Sequence, residues 1–455
     1  MRVGAALVAC VLGSLEILGC GNVISQPIGL PPPSDGGFGD DGPPSVLGDG
    51  ATESFCNGHG PPVLAGENKC IGDLSNVFRF AACACKSLDV SGTLSTDSFD
   101  STSDAGPASG SAASIGSNGE IDINSKISLA GSLWSGGPGT DGGPSITLSG
   151  SNGGGTVSGD VRSAANLEVG GKYLVGGNVW ANGNVILDPG GSLAVLGTLF
   201  VPAGDTTSNV QATVVNAPVP VEPPCSCATP IDVSAVVAAY AGENDDSAVG
   251  LSPAAALGGT KSLPCGLYYV AGIAGDSVAL PVSGRVALFV AGDISVTEDL
   301  RIELAPGAEI DVFVSGSVSI MGGFEIGDAD SPSRTRIYVG GATLALAANA
   351  SPLAANIYAP NAVLELSSNF EMWGSLFADR LQCSGAFAIH YDTSVLQVAE
   401  ASGCGSPAGP CQTCNDCAGA TPACKGGSCA PCTTTADCCA PLGCTSSGRC
   451  ELTIR

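Results

Sequence analysis

Large aromatic side chains, charge and histidine are all scarce in this 455-residue chain. Aromatics make up 5% of the residues, with only 3 Trp, and charged residues 13%. A globular core built on large rings is thereby excluded. Packing falls to small and β-branched residues, which suits thin stacked strands. Lys and Arg total 16 against 42 Asp and Glu, for a formal net charge of −26. Clustered bases that could neutralise phosphate are missing, which argues against nucleic acid or an anionic membrane surface as a partner. Catalytic signatures are missing too: there is no GxSxG, no HExxH and no Walker loop. Of the two His, His59 sits in CNGHG and His390 in AIHYD, neither beside a Ser or Cys nucleophile motif. Both are expected to be structural, and neither a cofactor nor a metal is expected.

What is present begins with a short export signal. MRVGAALVACVLGSLEILGCGN places Arg2 ahead of an apolar stretch from Val3 to Leu15. Ile17, Leu18, Gly19 and Cys20 then read as a lipobox, with Cys20 as the lipidated first residue of the mature protein, although Glu16 departs from the apolar pattern. The stretch falls short of the ~20 apolar residues of a spanning helix, and no second long apolar run follows. Residues 1–19 are thus expected to be a signal peptide. Residues 20–55, exemplified by LPPPSDGGFGDDGPP, are expected to be a flexible tether, because Pro, Gly, Asp and Ser cannot bury enough surface to offset ordering entropy. Export to the outer membrane or cell surface follows, with the membrane engaged through a lipid.

Gly and Cys are abundant, at 66 and 21 residues. Cys10 leaves with the signal, and Cys20 is the lipid site. An exported chain makes disulfides the default for the others. The candidates are Cys56, Cys70, Cys83 and Cys85 in a small segment (56–94), then Cys225, Cys227, Cys265 and Cys383 in the body. Cys404, Cys411, Cys414, Cys417, Cys424, Cys429, Cys432, Cys438, Cys439, Cys444 and Cys450 crowd the end. The odd number implies one thiol outside a bridge. Residues 404–455 are too few to bury a core, so cross-links must hold them as a disulfide-rich module. The rival for Cys411, Cys414 and Cys417, and for Cys429 and Cys432, is zinc.

The body is periodic. Val169, Val175, Ala181, Leu187, Leu193 and Leu199 are six apart, and so are Ile115, Ile121, Ile127 and Leu133. Six residues make one short face of a parallel β-solenoid, whereas a helix would repeat every 3.6. In the second half, seven apolar positions recur at an offset of 24: Val286 with Ile310, Leu288 with Val312, Val290 with Val314, Ile294 with Val318, Val296 with Ile320, Leu300 with Phe324, and Ile302 with Ile326. An offset of 20 follows, with Ile337 matching Ile357 and Leu344 matching Leu364. The fold expected is all-β: a parallel β-solenoid (β-helix) in two parts, 95–202 and 284–400. Residues 203–283 form a linker and helical insertion, in which PIDVSAVVAAYAGENDD reads as a short helix with Asp232 as N-cap. An antiparallel sandwich is the competing fold.

TDSFDS (96–101), SNGEIDI (117–123), GRVALFVAGDISV (284–296), IDVFVSGSVSI (310–320), RIYVGG (336–341), IYAPNAVLEL (357–366) and AIHYD (388–392) together resemble the solenoid-like domain of surface proteins in myxobacteria and related bacteria. A version of that domain occurs in type IV pilus-associated proteins. The resemblance covers roughly 95–202 and 264–395, and the Cys-rich end resembles small repeats that close many myxobacterial secreted proteins. It implies an envelope role and supplies no catalytic residue. The lipobox stands where a pilus subunit would carry an N-terminal helix.

Three further features bear on function. GGPGTDGG (136–143) matches the start of a glycine-rich calcium repeat around Asp141, but Gly143 breaks the motif and there is one copy only, so a loop is expected. Acids in the second half, among them Asp293, Glu298, Asp299, Glu309 and Asp311, read as scattered rather than lined up. Trp180 and Trp373 fall at outward positions, where they could stack on a sugar. The expectation is therefore a non-enzymatic, structural or adhesive surface lipoprotein whose partners are polysaccharide or other surface proteins. The alternatives are a carbohydrate-binding or polysaccharide-processing β-helix and a polymer-forming envelope scaffold.

Overall fold

Triplets of the form apolar–polar–apolar, such as ISL at Ile127–Leu129 and LEV at Leu167–Val169, each make one short strand with its outer residues buried. In a computed structural model these triplets stack as a parallel β-solenoid within one 30-stranded sheet. The structure describes residues 55–62, 77–103, 112–139, 142–150, 154–205, 210–217, 219–346, 353–366 and 369–399, with short pieces between 423 and 451. All belong to one unit, Ser45–Arg455. Cys20, residues 21–54 of the expected tether and Asp141 lie outside the described residues, whereas Phe55, expected to end the tether, is buried under the Arg285 guanidinium.

The repeats read from sequence are the observed register. All seven pairs at the 24-residue offset are Cα partners on adjacent coils. Ile337 pairs with Ile357 and Leu344 with Leu364. Six-residue spacing marks successive faces of one coil, so three faces return Ile115 to Leu133 and Val161 to Val179.

The two expected parts are one. Ala82–Val90 pairs on one side with Leu376–Cys383 and on the other with Ile115–Ser117 and Glu120–Ile123. Leu94–Phe99 likewise lies between Phe387–Asp392 and Ile127–Leu129. The chain therefore enters the solenoid in the middle and winds to one end at Val210–Asn216. It then runs back outside the coils, restarts at the opposite end with Ala256–Thr260, and winds back to the entry point. Strands Ala256–Thr260, Leu263–Val270 and the long Gly272–Val290 place the second part's start well before residue 284. Ala82–Val90 likewise makes the expected Cys-containing segment part of the sheet.

One interior row shows the continuity. Tyr268, Leu288, Val312, Ile337, Ile357, Leu376, Ala82, Ile115, Leu133, Val161, Val179, Leu199 and Val214 follow one another as Cα partners. Every member but Val214 is buried. A buried Val, Leu or Ile contributes about 1.5–3 kcal/mol, so this row and its siblings supply the main cohesion. The narrow gap inside the second half is lined wholly by aliphatics, including Ile273, Leu288, Val312 and Ile337.

Residues 219–251 form a strap outside the coils. The helix expected there spans Val233–Ala239, and the Asp232 side chain accepts from the Ala235 N–H at 3.0 Å as its N-cap. Val233, Val236 and Val237 are buried, which fixes the helix against the coils by its apolar stripe.

Candidate functional site

Successive residues of a strand point to opposite faces, so each interior row has an exterior twin one residue along. The twin of the row above reads Tyr269, Phe289, Phe313, Tyr338, Tyr358, Phe377, Cys83, Gly116, Trp134, Arg162, Trp180, Phe200 and Val215. Nine of the chain's 22 aromatics thus fall in one external line. Phe289 and Phe313 stack at 5.3 Å, and Phe313 and Tyr338 at 4.5 Å.

The strap covers most of this line. Tyr240 stacks on Phe289 at 4.0 Å, and the Ile231 N–H donates to the Tyr358 hydroxyl at 3.0 Å. Burial raises the Tyr358 and Tyr240 hydroxyl pKa values. Where the line narrows to Cys83 and Gly116, the strap comes closest. Disulfides Cys83–Cys225 and Cys85–Cys227 tie it down, and Asn118 pairs with the Cys225 backbone through both its Oδ1 and Nδ2. A Cβ on Gly116 would lie 3.0 Å from the Cys83 sulfur and 3.2 Å from Pro224, so a side chain there would push the strap away.

Beyond Trp134 the aromatic line emerges. The Arg162 guanidinium lies 4.8 Å from the Trp134 ring centre and 4.5 Å from that of Trp180, and Trp180 stacks on Phe200 at 5.5 Å and 7°. Each cation–π contact contributes on the order of 0.5–2 kcal/mol. Burial lowers the Arg162 pKa, while Asp160 at 3.6 Å opposes this. Trp180 points outward as expected, but it is half-buried by these neighbours, so its free surface is an edge and not a bare face.

Trp373 is outward and half-buried as well. It stacks at 4.7 Å on His390, whose Nδ1 lies 2.9 Å from Asp97 Oδ1 and whose Nε2 lies 3.0 Å from Glu371 Oε1. His390 thus joins two carboxylates and an indole on the outer face. His59 is largely exposed, 3.5 Å from Glu309.

The acids are not all scattered. Glu365, Gln382, Asp89, Asp122, Thr147 and Glu168 are consecutive outward Cα partners on one face. This line crosses the join between the two halves, which is why no repeat in either half reveals it. Desolvation raises the Asp122 pKa, and Asp89, Glu120 and Glu168 add repulsion. Asp89 is raised by desolvation and by Glu120. One buried Asp122 oxygen, Oδ1, has no hydrogen-bond partner.

A second electrostatic cluster is fully buried. The Arg336 guanidinium donates to Asp311 at 2.6 and 2.8 Å, to Glu309 at 2.8 Å and to the Ser333 carbonyl at 2.8 Å. Burial pushes the Asp311 pKa up, and the guanidinium pulls the other way. Arg285 donates to the carbonyls of Phe55, Gly60 and Pro61, fastening that segment to the coils. Cys56–Cys265 closes the same contact.

Among the disulfide candidates, Cys383 is corrected. It is a buried thiol that donates to the Gly385 carbonyl at 3.4 Å, its pKa raised by burial. Cys432 is disulfide-bonded. Cys424 and Cys429, and Cys444 and Cys450, are Cα partners in two small antiparallel pairs. Cys70, Cys404, Cys411, Cys414, Cys417, Cys438 and Cys439 lie outside the described residues. Among the described residues there is no cluster of three or more His, Cys, Asp or Glu placed to hold a metal, and no helix long and apolar enough to cross a membrane.

No curated protein and no solved structure matches the chain. A family model described as "Domain of unknown function (DUF7305)" matches residues 226–398, that is, the strap after Cys225 and the coils that follow it.

Proposed function

We propose that this chain is a non-enzymatic surface lipoprotein of the bacterial outer envelope, in which the solenoid is a stiff spacer. Cys20 carries the lipid, the Pro- and Gly-rich tether gives reach, and the Cys-rich end is presented outward. The observation that carries the reading is the interior row running unbroken from Tyr268 almost to Val214 beneath a disulfide-tied strap. Such a body has a filled core and long-range cross-links, which favours a static load-transmitting role. Disulfides joining residues 142 and 209 apart support an oxidising compartment, as does the resemblance to envelope proteins. The test is metabolic labelling with an alkyne fatty acid, combined with protease treatment of intact cells. Label lost on Cys20→Ser, together with cleavage of the terminal module on unbroken cells, is expected. An unlabelled chain, or a module protected until lysis, would overturn it.

A second reading is binding of polysaccharide, favoured by the Arg162–Trp180–Phe200 stack at the uncovered end of the aromatic line. Retention of the purified chain on immobilised polysaccharide, lost on Trp180→Ala, supports it; equal retention of both proteins removes it.

A further inference from the structure

The two ends of the solenoid differ. At one end the edge strand Leu263–Val270 is closed by the strap. Asp245 accepts from the Leu267 N–H at 2.8 Å and Asp246 from the Tyr269 N–H at 2.8 Å, while the Asp245 N–H donates to the Leu267 carbonyl at 2.6 Å. The short helix Asp246–Val249 packs on the same strand, and Val249 and Leu251 lie against the core. The interior residues of that end are fully covered: Leu263 is 0% exposed and Tyr268 1%.

At the other end the last strand, Val210–Asn216, pairs on one side only, with Ser192–Val201. Val185–Leu187 also pairs on one side only. Val214 stacks on Leu199 as the next rung of the interior row, yet it is 41% exposed. An interior rung facing water wants another coil. Leu196 (73% exposed), Ile186 and Val215 belong to the same end coil, Ile186 and Val215 at outward positions next to Glu168 and Phe200. Of the exposed large hydrophobics among the described residues, only Met321 lies elsewhere, in the other half of the solenoid, while Leu174 stands one coil below this end.

We propose that this end is a self-docking surface, on which the same end of a second copy stacks by antiparallel pairing of Val210–Asn216 with its counterpart. Charge points to a second copy. The end coil from Val185 to Ala217 carries Asp188 and Asp205 as its only charged residues, on a chain of net charge −26. Two strongly acidic molecules can approach here at the least electrostatic cost, and a basic partner finds little field to hold it. Geometry points the same way. A two-fold axis through the end sets two identical strands antiparallel, the arrangement in which each edge satisfies the other's N–H and C=O groups. The strand, VQATVVN, holds no Pro, Gly or charge that would blunt such pairing. One coil also supplies about the 20–30 residues a side that stable interfaces use. Docking of two like ends uses this surface up, so assembly stops at two and does not run on into a polymer; at the opposite end carboxylates cap Leu263–Val270, and Ala256–Thr260, paired on one side only, exposes no large apolar side chain.

The test is sedimentation velocity across a concentration series, with small-angle scattering, on the full chain bearing Cys20→Ser so that lipid plays no part. The expected result is a monomer–dimer equilibrium in which the dimer is close to twice the monomer's length. Val214→Asp and Leu196→Asp, each at an exposed position and checked for unchanged circular dichroism, raise the dissociation constant about 30-fold or more, the effect of losing one central contact. Met321→Asp, at an exposed apolar site away from this end, leaves it unchanged. A folded protein that stays monomeric throughout would overturn the proposal. So would a dimer insensitive to both end variants, a side-by-side dimer of unchanged length, or growth beyond two.

Discussion

His390 Nδ1 lies 2.9 Å from Asp97 Oδ1 although 293 residues of chain separate them. This contact marks the join where the last coil meets the first, Leu94–Phe99 being paired with Phe387–Asp392 along its length. A join hydrogen-bonded on both sides has no free edge. Backbone amides of Ala82–Val90 are therefore expected to exchange with deuterium as slowly as those of Glu309–Val314, well inside the second half. Fast exchange over 82–90, as in an edge strand, would mean two separate solenoids.

Tying the strap down should matter more than its few contacts suggest. Each of Cys83–Cys225 and Cys85–Cys227 closes a loop of sequence separation 142. Replacing all four with Ser is expected to cost about 2–5 kcal/mol of stability, read from chemical denaturation, and to expose the Tyr240–Phe289 stack to solvent quenchers. Because the two bridges constrain almost the same loop, removing either pair alone should cost much less than half of that.

Asp89 and Asp122 are Cα partners; burial raises both pKa values, and repulsion from Glu120 adds to each. A carboxyl whose folded value is raised binds more protons folded than unfolded. Stability therefore falls as pH rises from the ordinary carboxylate range through the raised values, and the loss is complete above them. Asp122→Asn should raise Tm at pH 7 and lose that advantage on acidification towards pH 3. An unchanged Tm at pH 7 would show that the repulsion is screened or met by a bound cation.

Arg336 is expected to be the least replaceable charged residue. Arg336→Met leaves Asp311 and Glu309 buried against each other, and about 3–5 kcal/mol of destabilisation follows. Adding Asp311→Leu should recover a large part of it. Urea denaturation of the single and double variants measures the coupling, and a double variant as unstable as the single would show that the loss is one of packing.

Periodicity made most of the fold legible. Ile294 and Val318, or Leu300 and Phe324, are partners because identical spacing of apolar residues can be satisfied only by stacking in register. The N-cap at Asp232 was legible for a similarly local reason: its side chain reaches an N–H three residues on. The outward acids and aromatics were not. Asp89, Asp122 and Glu168 belong to no common repeat, and Phe377 precedes Cys83 in the outer line while following it by almost 300 residues in the chain. The burial of Phe313 and Tyr338 on an outward face depended on a strap whose position no spacing encodes. Cys383 was indistinguishable in sequence from its disulfide-bonded neighbours because pairing depends on which coils lie side by side.

Local spacing is enough to specify a parallel solenoid with short faces, its register within each half and the helix of the strap, because these follow from interactions between residues at most about one coil apart. Long-range packing alone settles that the chain starts in the middle, that its two halves share one core, and that the strap caps Leu263–Val270 at one end while Val214 is exposed at the other. Those features rest on contacts between segments hundreds of residues apart, where many orders of stacking would bury the same aliphatic rows equally well. Strand-edge hydrogen bonds, the Arg336 cluster and the disulfides select one of them.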